Sequence, residues 1–415
     1  MEEVTLSLSP RGRRIPYAVV IGLDHINGIQ TARILARRQV PVIAIAKDPK
    51  HYCCRTRVCE RILFTDTGGD ALISTLEDLG PKLGEKAVLF PCTDMQVLLV
   101  SRYRQRLEPW YHVILPSPEV VEMMMDKVRF YTYAQESGFP IPRTEFLRGQ
   151  ADAERAAKDL TFPCVYKPPL SAIPEWEHKS KLKAYRLDSP DEFLAVYQRY
   201  GALVDVSIIQ EWIEGPVSSL YSCNCYFDAS SEPIVTFVAR KIRQWPPETG
   251  ESSLGEECRN DVVLQETIRL FKSVQYRGLG YVEMKRDERT GQHFIMEPNV
   301  GRPTGRSAIA EAGGVELLYT MYCDALGWQL PSKRVQYYTN VKWIHLRHDF
   351  QSALYSWRRK ELTLKDWWRS LRGPKTDALF SWSDPGPFLG DLGRAFRLFL
   401  SPEERKKRDY RNPLS

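Results

Sequence analysis

The sequence predicts a mixed α/β chain in three parts. A parallel-sheet unit spans residues 1–116, an α+β unit 117–330, and a basic, tryptophan-rich helical extension 331–415. Three observations carry that division. Residues 17–46 run from an apolar stretch through a helical pattern into a second apolar stretch, residues 280–297 fold back as two alternating strands, and positive charge gathers at the C-terminal end. Of the formal +6, residues 331–415 hold 18 Lys and Arg against 9 Asp and Glu, so the first 330 residues are slightly acidic. Half of the ten tryptophans (Trp343, Trp357, Trp367, Trp368, Trp382) lie in that stretch, which predicts an appendage with its own core. A length of 415 residues suits two or three packed units. At 43% hydrophobic and 27% charged, the composition excludes disordered, collagen-like and disulfide-scaffold classes. Nine cysteines without an export signal read as reduced thiols. No apolar run reaches membrane-spanning length, and Met1-Glu2-Glu3-Val4 does not open a signal peptide, so the expected location is cytoplasmic.

The elements follow in order. Tyr17 to Ile21 is a short apolar run closed by Gly22; Ile29, Ala32, Ile34 and Leu35 recur at helical spacing; Pro41 to Ala46 reads as a second buried strand. Apolar runs at 87–90 and 113–115 extend the parallel sheet. Ser117, Pro118 and Glu119 form a helix start, as cap, first-turn proline and first-turn acid. Gly138 and Pro140 end the helical stretch that follows. Strands are expected at 162–166, 207–209, 221–227 and 233–238. Residues 280–285 and 293–297 flank a polar turn ending in Gly291, which predicts a hairpin.

Alternation along the second hairpin strand puts Glu297 and Asn299 on one face, with Glu283 able to lie opposite. Two carboxylates and an amide suit a hard cation that keeps waters and substrate phosphates in its shell. Alone, they read equally as surface carboxylates on an exposed hairpin. Lys127 follows an apolar stretch with three methionines, and Lys167 ends the apolar strand that begins at Phe162; each can place a point charge on a phosphate. Residues 208–215 run from an apolar strand into a glycine and can present backbone groups to a flat heterocycle, with Glu214 near a sugar hydroxyl.

In order along the chain these pieces are Asp126-Lys127, Gly138 to Pro142, Phe162 to Pro168, Lys181 to Tyr185, Gln210 to Gly215, Ala239 to Pro247, Gly280 to Lys285, Met296 to Arg302 and Gly314 to Leu317. The ordered set resembles the ATP-grasp superfamily, and within it the carboxylate–amine ligase-like branch, over about three quarters of the chain. The resemblance implies an ATP-grasp fold behind a Rossmann-like pre-ATP-grasp domain, with ATP and Mg²⁺ as cofactors and Mn²⁺ able to replace the metal. It implies that Lys127, Lys167 and Lys183 face the phosphates, and that Gln210, Glu211, Trp212, Ile213 and Glu214 form the nucleotide-facing hinge. Glu283, Glu297 and Asn299 become the metal ligands, and Arg302, Lys241 and Arg243 the catalytic basic positions facing the γ-phosphate and the substrate carboxylate. The implied reaction joins a small-molecule carboxylate to an amine through an acyl phosphate, releasing ADP and phosphate, with no nucleic-acid partner. The alternatives are phosphoryl transfer without ligation, or a non-catalytic nucleotide-binding protein.

Three positions depart from the family pattern. Residues 168–182 contain no glycine, so Lys183, His178 or Lys179 must cover the phosphates; Val217 replaces an acid; and Gly301 displaces the usual arginine to Arg302. Gly22 to Gly28 lacks dinucleotide-binding spacing and reads instead as a turn near the carboxylate substrate, and Cys92-Thr93-Asp94 is a second candidate for that contact. His51, Cys53, Cys54 and Cys59 lack the second half of a zinc site. Leu389, Leu392, Phe396 and Phe399 share one helical face with Arg394 and Arg397 off it, ahead of a basic run at 403–408. That face is expected to pack on the body of the protein, the alternative being peripheral contact with an anionic membrane or with RNA.

Overall fold

A computed structural model describes residues 15–169, 176, 179–180, 184–247 and 250–400. By its contacts the chain forms two units. The first holds the described residues of Met1–Val121, Ser222–Tyr281 and Asn299–Phe396, and the second those of Glu122–Tyr221, Val282–Pro298 and Arg397–Ser415.

In the first unit, β1 (Ala18–Ile21), β2 (Val42–Ala46), β3 (Arg61–Phe64), β4 (Ala87–Pro91) and β5 (Tyr111–His112) form a parallel sheet in the order β3-β2-β1-β4-β5. Every residue of β1, β2 and β4 is buried, as expected for strands covered on both faces. β1 pairs in parallel with β2 on one side and β4 on the other, so the winding reverses at the carboxyl ends of β1 and β4. The helix Ile26–Arg37 leaves from that point. The apolar run at 113–115 is not a strand: β5 pairs with β4 only through Tyr111 and His112. Val113, Ile114 and Leu115 are nonetheless buried, as irregular chain whose Ile114 carbonyl lies against Gly278. Burial rather than ladder pairing explains their hydrophobicity.

The second unit carries β6 (Thr144–Leu147), β7 (Cys164–Lys167), β8 (Tyr185–Leu187) and β9 (Ser207–Glu211) in the order β6-β9-β7-β8, each neighbouring pair antiparallel. The helices Gln150–Asp159 and Pro190–Tyr200 pack on this sheet through Ala153, Ala156, Phe193 and Tyr197. Tyr166 of β7 sits at the middle of an aromatic cluster, its ring 5.5 Å from Trp176 and 5.9 Å from Phe193. Ahead of the sheet the expected helix start holds: Ser117 accepts the Val120 N–H at 3.4 Å and the helix runs Pro118–Met125. Asp126 then breaks the helix and caps a new one, Lys127–Glu136, accepting from the Val128 and Arg129 N–H groups. Gly138, at φ +66°, follows its end.

The remaining strands are β10 (Leu220–Phe227), β11 (Pro233–Trp245), β12 (Glu251–Glu257), β13 (Gly278–Arg286), β14 (His293–Val300), β15 (Lys342–Ile344) and β16 (Lys375–Asp377), in the sheet order β14-β13-β10-β11-β12-β15-β16. The expected hairpin is β13 and β14, closed by the Asp287 N–H on Gln292 O at 2.8 Å and by Gly291 at φ +75°. β11 runs seven residues past the expected strand because its later residues, Arg240, Lys241 and Arg243 among them, are polar yet paired with β12.

The C-terminal stretch is not an appendage with its own core. β15 pairs antiparallel with β12 and parallel with β16, and Trp343, 3% exposed, joins the same hydrophobic cluster as Val20 and Phe237. Trp357, Trp368 and Trp382 are exposed. A buried ion pair ties the stretch to the N-terminal helix: Arg33 Nε donates to Asp384 Oδ2 at 2.8 Å, and Arg33 also donates to the carbonyls of Leu379 and Asp384. Thr56 Oγ1 donates to the same carboxylate at 2.6 Å. The helix Gly386–Leu400 is turned the other way from the expectation. Gly386 and Gly390 lie so close to the 52–55 segment that an added Cβ would meet Arg55 O at 2.4 Å and Tyr52 Cβ at 2.9 Å. Asp391, on the same face, is buried and pairs with Arg347. Leu389, Leu392 and Phe396 are left exposed; the Phe399 side chain and residues 403–408 lie outside the described residues.

Because Arg33 and Asp384 are 6% and 1% exposed, removing one partner strands a buried charge. Asp384→Ala is expected to cost about 3–5 kcal/mol. Chemical denaturation checks this, and a loss below about 1 kcal/mol, the value of a surface pair, would contradict it.

Candidate functional site

The second unit brings together Lys127, Lys167 and Glu297. Lys167 ends β7, where an apolar strand must deliver its one charged side chain. Its Nζ donates to Tyr131 Oη at 3.1 Å and lies 4.9 Å from the Tyr131 ring centre. Tyr131 in turn donates to the Met296 carbonyl on β14. Burial pushes the Lys167 ammonium down to about 8, against the opposing pull of the Glu297 carboxylate. Lys127 opens its helix, where its own N–H donates to Pro169 O at 3.1 Å, and its Nζ reaches to 3.9 Å of Glu297 Oε1. Two cations thus face one half-exposed carboxylate, an arrangement that can take a polyanion beside a hard cation.

The hinge residues divide. The Gln210 side chain is fully buried, its Nε2 donating to Thr144 Oγ1 at 2.7 Å while its Oε1 has no hydrogen-bond partner. Glu211 accepts the Thr161 N–H at 2.8 Å, and Ile213 is buried. The Trp212 ring is covered by Lys285 Nζ at 4.8 Å and the Arg186 guanidinium at 4.9 Å. Glu214 is half-buried and its carbonyl accepts the Glu288 N–H at 3.1 Å. Gly215 adopts φ +135°, where an added Cβ would also meet the Glu288 side chain at 2.8 Å. Lys285 and Tyr131 were missed by sequence reasoning. Lys285 stands two residues after Glu283 on β13 and so shares its face, which was a readable signal; nothing in sequence singles out Tyr131. Lys183 and His178 lie outside the described residues.

In the first unit, Arg302 is the centre. Its Nε donates to Asp94 Oδ1 at 2.5 Å, its Nη2 to Asp94 Oδ2 at 3.3 Å, and Nη2 also donates to Asn299 Oδ1. Asp94 opens the helix Asp94–Arg102 at the carboxyl end of β4, capped by a Thr93–Gln96 capping box. The one-residue displacement of this arginine has a steric cause. Gly301 sits at φ +69°, donates its N–H to Leu279 O and Tyr276 Oη, and leaves a Cβ only 2.5 Å from Leu115 and 2.7 Å from Val97. An arginine cannot occupy it. His25 lies at the carboxyl end of β1, where its Nδ1 accepts the Asn27 N–H at 3.3 Å and caps the helix Ile26–Arg37. Burial lowers its pKa, and nearby Arg302 adds to that against the pull of Glu251, Asp24 and Asp94. Gly28 packs so tightly on the preceding turn that an added Cβ would meet Gly22 O at 2.1 Å.

Lys241 and Arg243 part company. A β-bulge between them breaks the alternation that would have put them on one face. Lys241 is 6% exposed and its Nζ lies 3.5 Å from Gln244 Oε1. Arg243 instead makes a bidentate pair with Asp349 at 2.7 and 2.9 Å and donates to Ser370 Oγ at 2.8 Å. Asp349 is fully buried and also accepts from Trp367 Nε1. Arg243 therefore anchors the helices that follow β15 and is not free to face a phosphate. Among the described residues, no group of three or more His, Cys, Asp and Glu side chains could hold a metal ion.

No family model matches the chain. The D-aspartate ligase of Enterococcus faecium is 23% identical over 235 residues, 54% of this chain and 55% of that protein. Among solved structures, the biotin carboxylase domain of Hydrogenobacter thermophilus 2-oxoglutarate carboxylase superposes with TM-score 0.59 at 14% identity, over 76% of this chain and 71% of that one. The N5-carboxyaminoimidazole ribonucleotide synthetase of Thermus thermophilus superposes with TM-score 0.58 at 16% identity, over 77% and 81%. These likenesses show the fold: the chain is a mixed α/β protein with the architecture of its ATP-grasp neighbours. The ATP-grasp fold is shared over most of the chain, whereas the chain spans about half the length of the D-aspartate ligase it matches. No helix among the described residues is long and apolar enough to cross a membrane.

The depressed Lys167 value carries a sign. Below pH 8 both folded and unfolded chains hold the proton, and the folded state bears the cost of a partly buried charge. Between pH 8 and 10.5 the folded state sheds it first, so this group makes stability rise with pH. The stability of the wild type relative to Lys167→Met, followed by denaturation, is expected to climb across that window. A flat difference would contradict the burial argument.

Proposed function

We propose that the chain is an ATP- and Mg²⁺-dependent ligase that joins a small-molecule carboxylate to an amine, releasing ADP and phosphate. The observation that carries this reading is the gathering of Lys127 and Lys167 about Glu297. A carboxylate is a poor acyl donor because its leaving group would be oxide. Transfer of the γ-phosphoryl group to it makes an acyl phosphate, and attack by the amine then expels phosphate. No covalent enzyme nucleophile is needed. The chain's part is to hold the reactants and offset the charge spread over the phosphoryl oxygens.

Lys127 and Lys167 bind phosphate oxygens, and the hinge from Gln210 to Glu214 receives the base and sugar. The partnerless buried Oε1 of Gln210 fits a role beside a bound heterocycle. Glu283, Glu297 and Asn299 would hold Mg²⁺; their all-oxygen chemistry fits a hard cation, which when bound supplies charge neutralisation at the phosphates. Arg302, steered by Asp94, binds the substrate carboxylate, and Lys241 contributes a second positive charge. Arg243 has no part in this, since its guanidinium is committed to Asp349. The relative's name, D-aspartate ligase, supports amino acids as the amine or the carboxylate.

The test is ADP release from MgATP in the presence of pooled carboxylates and amines. Wild type is expected to show release that requires both partners. Glu297→Gln, which removes one charge and little volume, is expected to lose about 100-fold or more in rate with its circular dichroism unchanged. Wild-type rates in that variant would overturn the metal assignment, and release that needs no amine would overturn ligation.

A further inference from the structure

We propose that the C-terminal part of the first unit is an attachment surface for an anionic lipid bilayer. The first observation is the orientation of the helix Gly386–Leu400. Its glycine and Asp391 face is the one that packs, so its apolar stripe points to solvent, with Leu389, Leu392 and Phe396 at 59%, 44% and 64% exposure. Arg394 and Arg397 are exposed on the same helix. A stripe of this kind normally faces a core, and here the core-facing role has gone to the opposite side.

A second, separate element has the same character. The helices Leu346–Arg358 and Leu364–Ser370 enclose an open apolar groove lined by Ala353, Leu354 and Leu362 together with Phe350, Trp357 and Trp367. Phe350, Trp357, Leu364 and Trp368 remain exposed around it. Arg358, Lys360 and Lys365 stand exposed between these apolar residues, as do Arg359, paired with Glu361, and Arg369, paired with Asp366. Arg347, on the first of these helices, pairs with Asp391 of the last helix at 2.8 and 3.0 Å, so the two apolar elements are joined by a direct ion pair.

Charge complementarity decides the occupant. Residues 331–415 carry twice as many basic as acidic side chains. Helices that lie in a lipid headgroup layer combine Trp, Phe and Leu on one face with Lys and Arg beside them. Anionic headgroups meet those cations while the tryptophans and leucines enter the acyl boundary. No helix among the described residues is long and apolar enough to cross a membrane.

The test is sedimentation of the full chain with vesicles of phosphatidylcholine alone and of phosphatidylcholine mixed with phosphatidylglycerol, at low and high salt. Pelleting is expected with the anionic vesicles, weakened by salt and by omission of phosphatidylglycerol. Two variants, Leu392→Ser with Phe396→Ser, and Trp357→Ala with Trp368→Ala, alter exposed side chains and should keep the wild-type melting temperature while each lowers partitioning by about tenfold. No pelleting on anionic vesicles at low salt, or partitioning unchanged in both variants, would overturn the proposal. So would light scattering that shows a dimer abolished by the same substitutions, or gel retardation of RNA in place of vesicle binding.

Discussion

The partial burial of an ammonium group sets the demands on the site in the second unit. β7 is an apolar strand between β8 and β9, and the side chain at its end is Lys167. Such a charge can be held only where its surroundings return part of its lost hydration. Tyr131 offers an oxygen and a ring face, and Glu297 offers a carboxylate. These three groups come from a helix, a strand end and a hairpin arm. The helix is aligned by its Asp126 cap, and the hairpin arm is reached through the bond from Tyr131 to Met296 O. A site poised in this way favours an anionic ligand, because an anion completes the compensation.

The first unit solves a different problem, the aiming of an arginine. Gly301 takes a left-handed turn packed against Val97 and Leu115, and the next residue emerges toward Asp94. Asp94 is placed in turn by a capping box at the end of β4, where an open parallel sheet gathers its ligands. The neighbouring β11 illustrates how alternation can mislead. One bulge sends Lys241 and Arg243 to different surroundings, and Arg243 becomes the anchor for the helices beyond β15.

Periodicity made the opening βαβ unit, the β13–β14 hairpin and the helix start at Ser117 readable, because each carries a strong apolar period or a capping signal. Lys127 and Lys167 were readable as charges at element ends and Glu297 from alternation along its strand, and the structure brings the three together. β12 was not readable: Glu251 to Glu257 is polar and draws its strand conformation from pairing with β11 and β15. The strands β15 and β16 hold three residues each, too few for a period to show, which is why the C-terminal stretch looked separate. The facing of the last helix was misread because glycine allows a backbone approach that hydrophobicity does not report.

Calorimetric titration of ATP, with and without Mg²⁺, into the wild type and into Lys167→Met tests the nucleotide site directly. Magnesium-promoted binding is expected, weakened by at least about tenfold when the ammonium group is removed. Equal affinity in the two proteins would contradict the assignment of Lys167 to the phosphates, and absence of ATP binding to the wild type would contradict the nucleotide site itself.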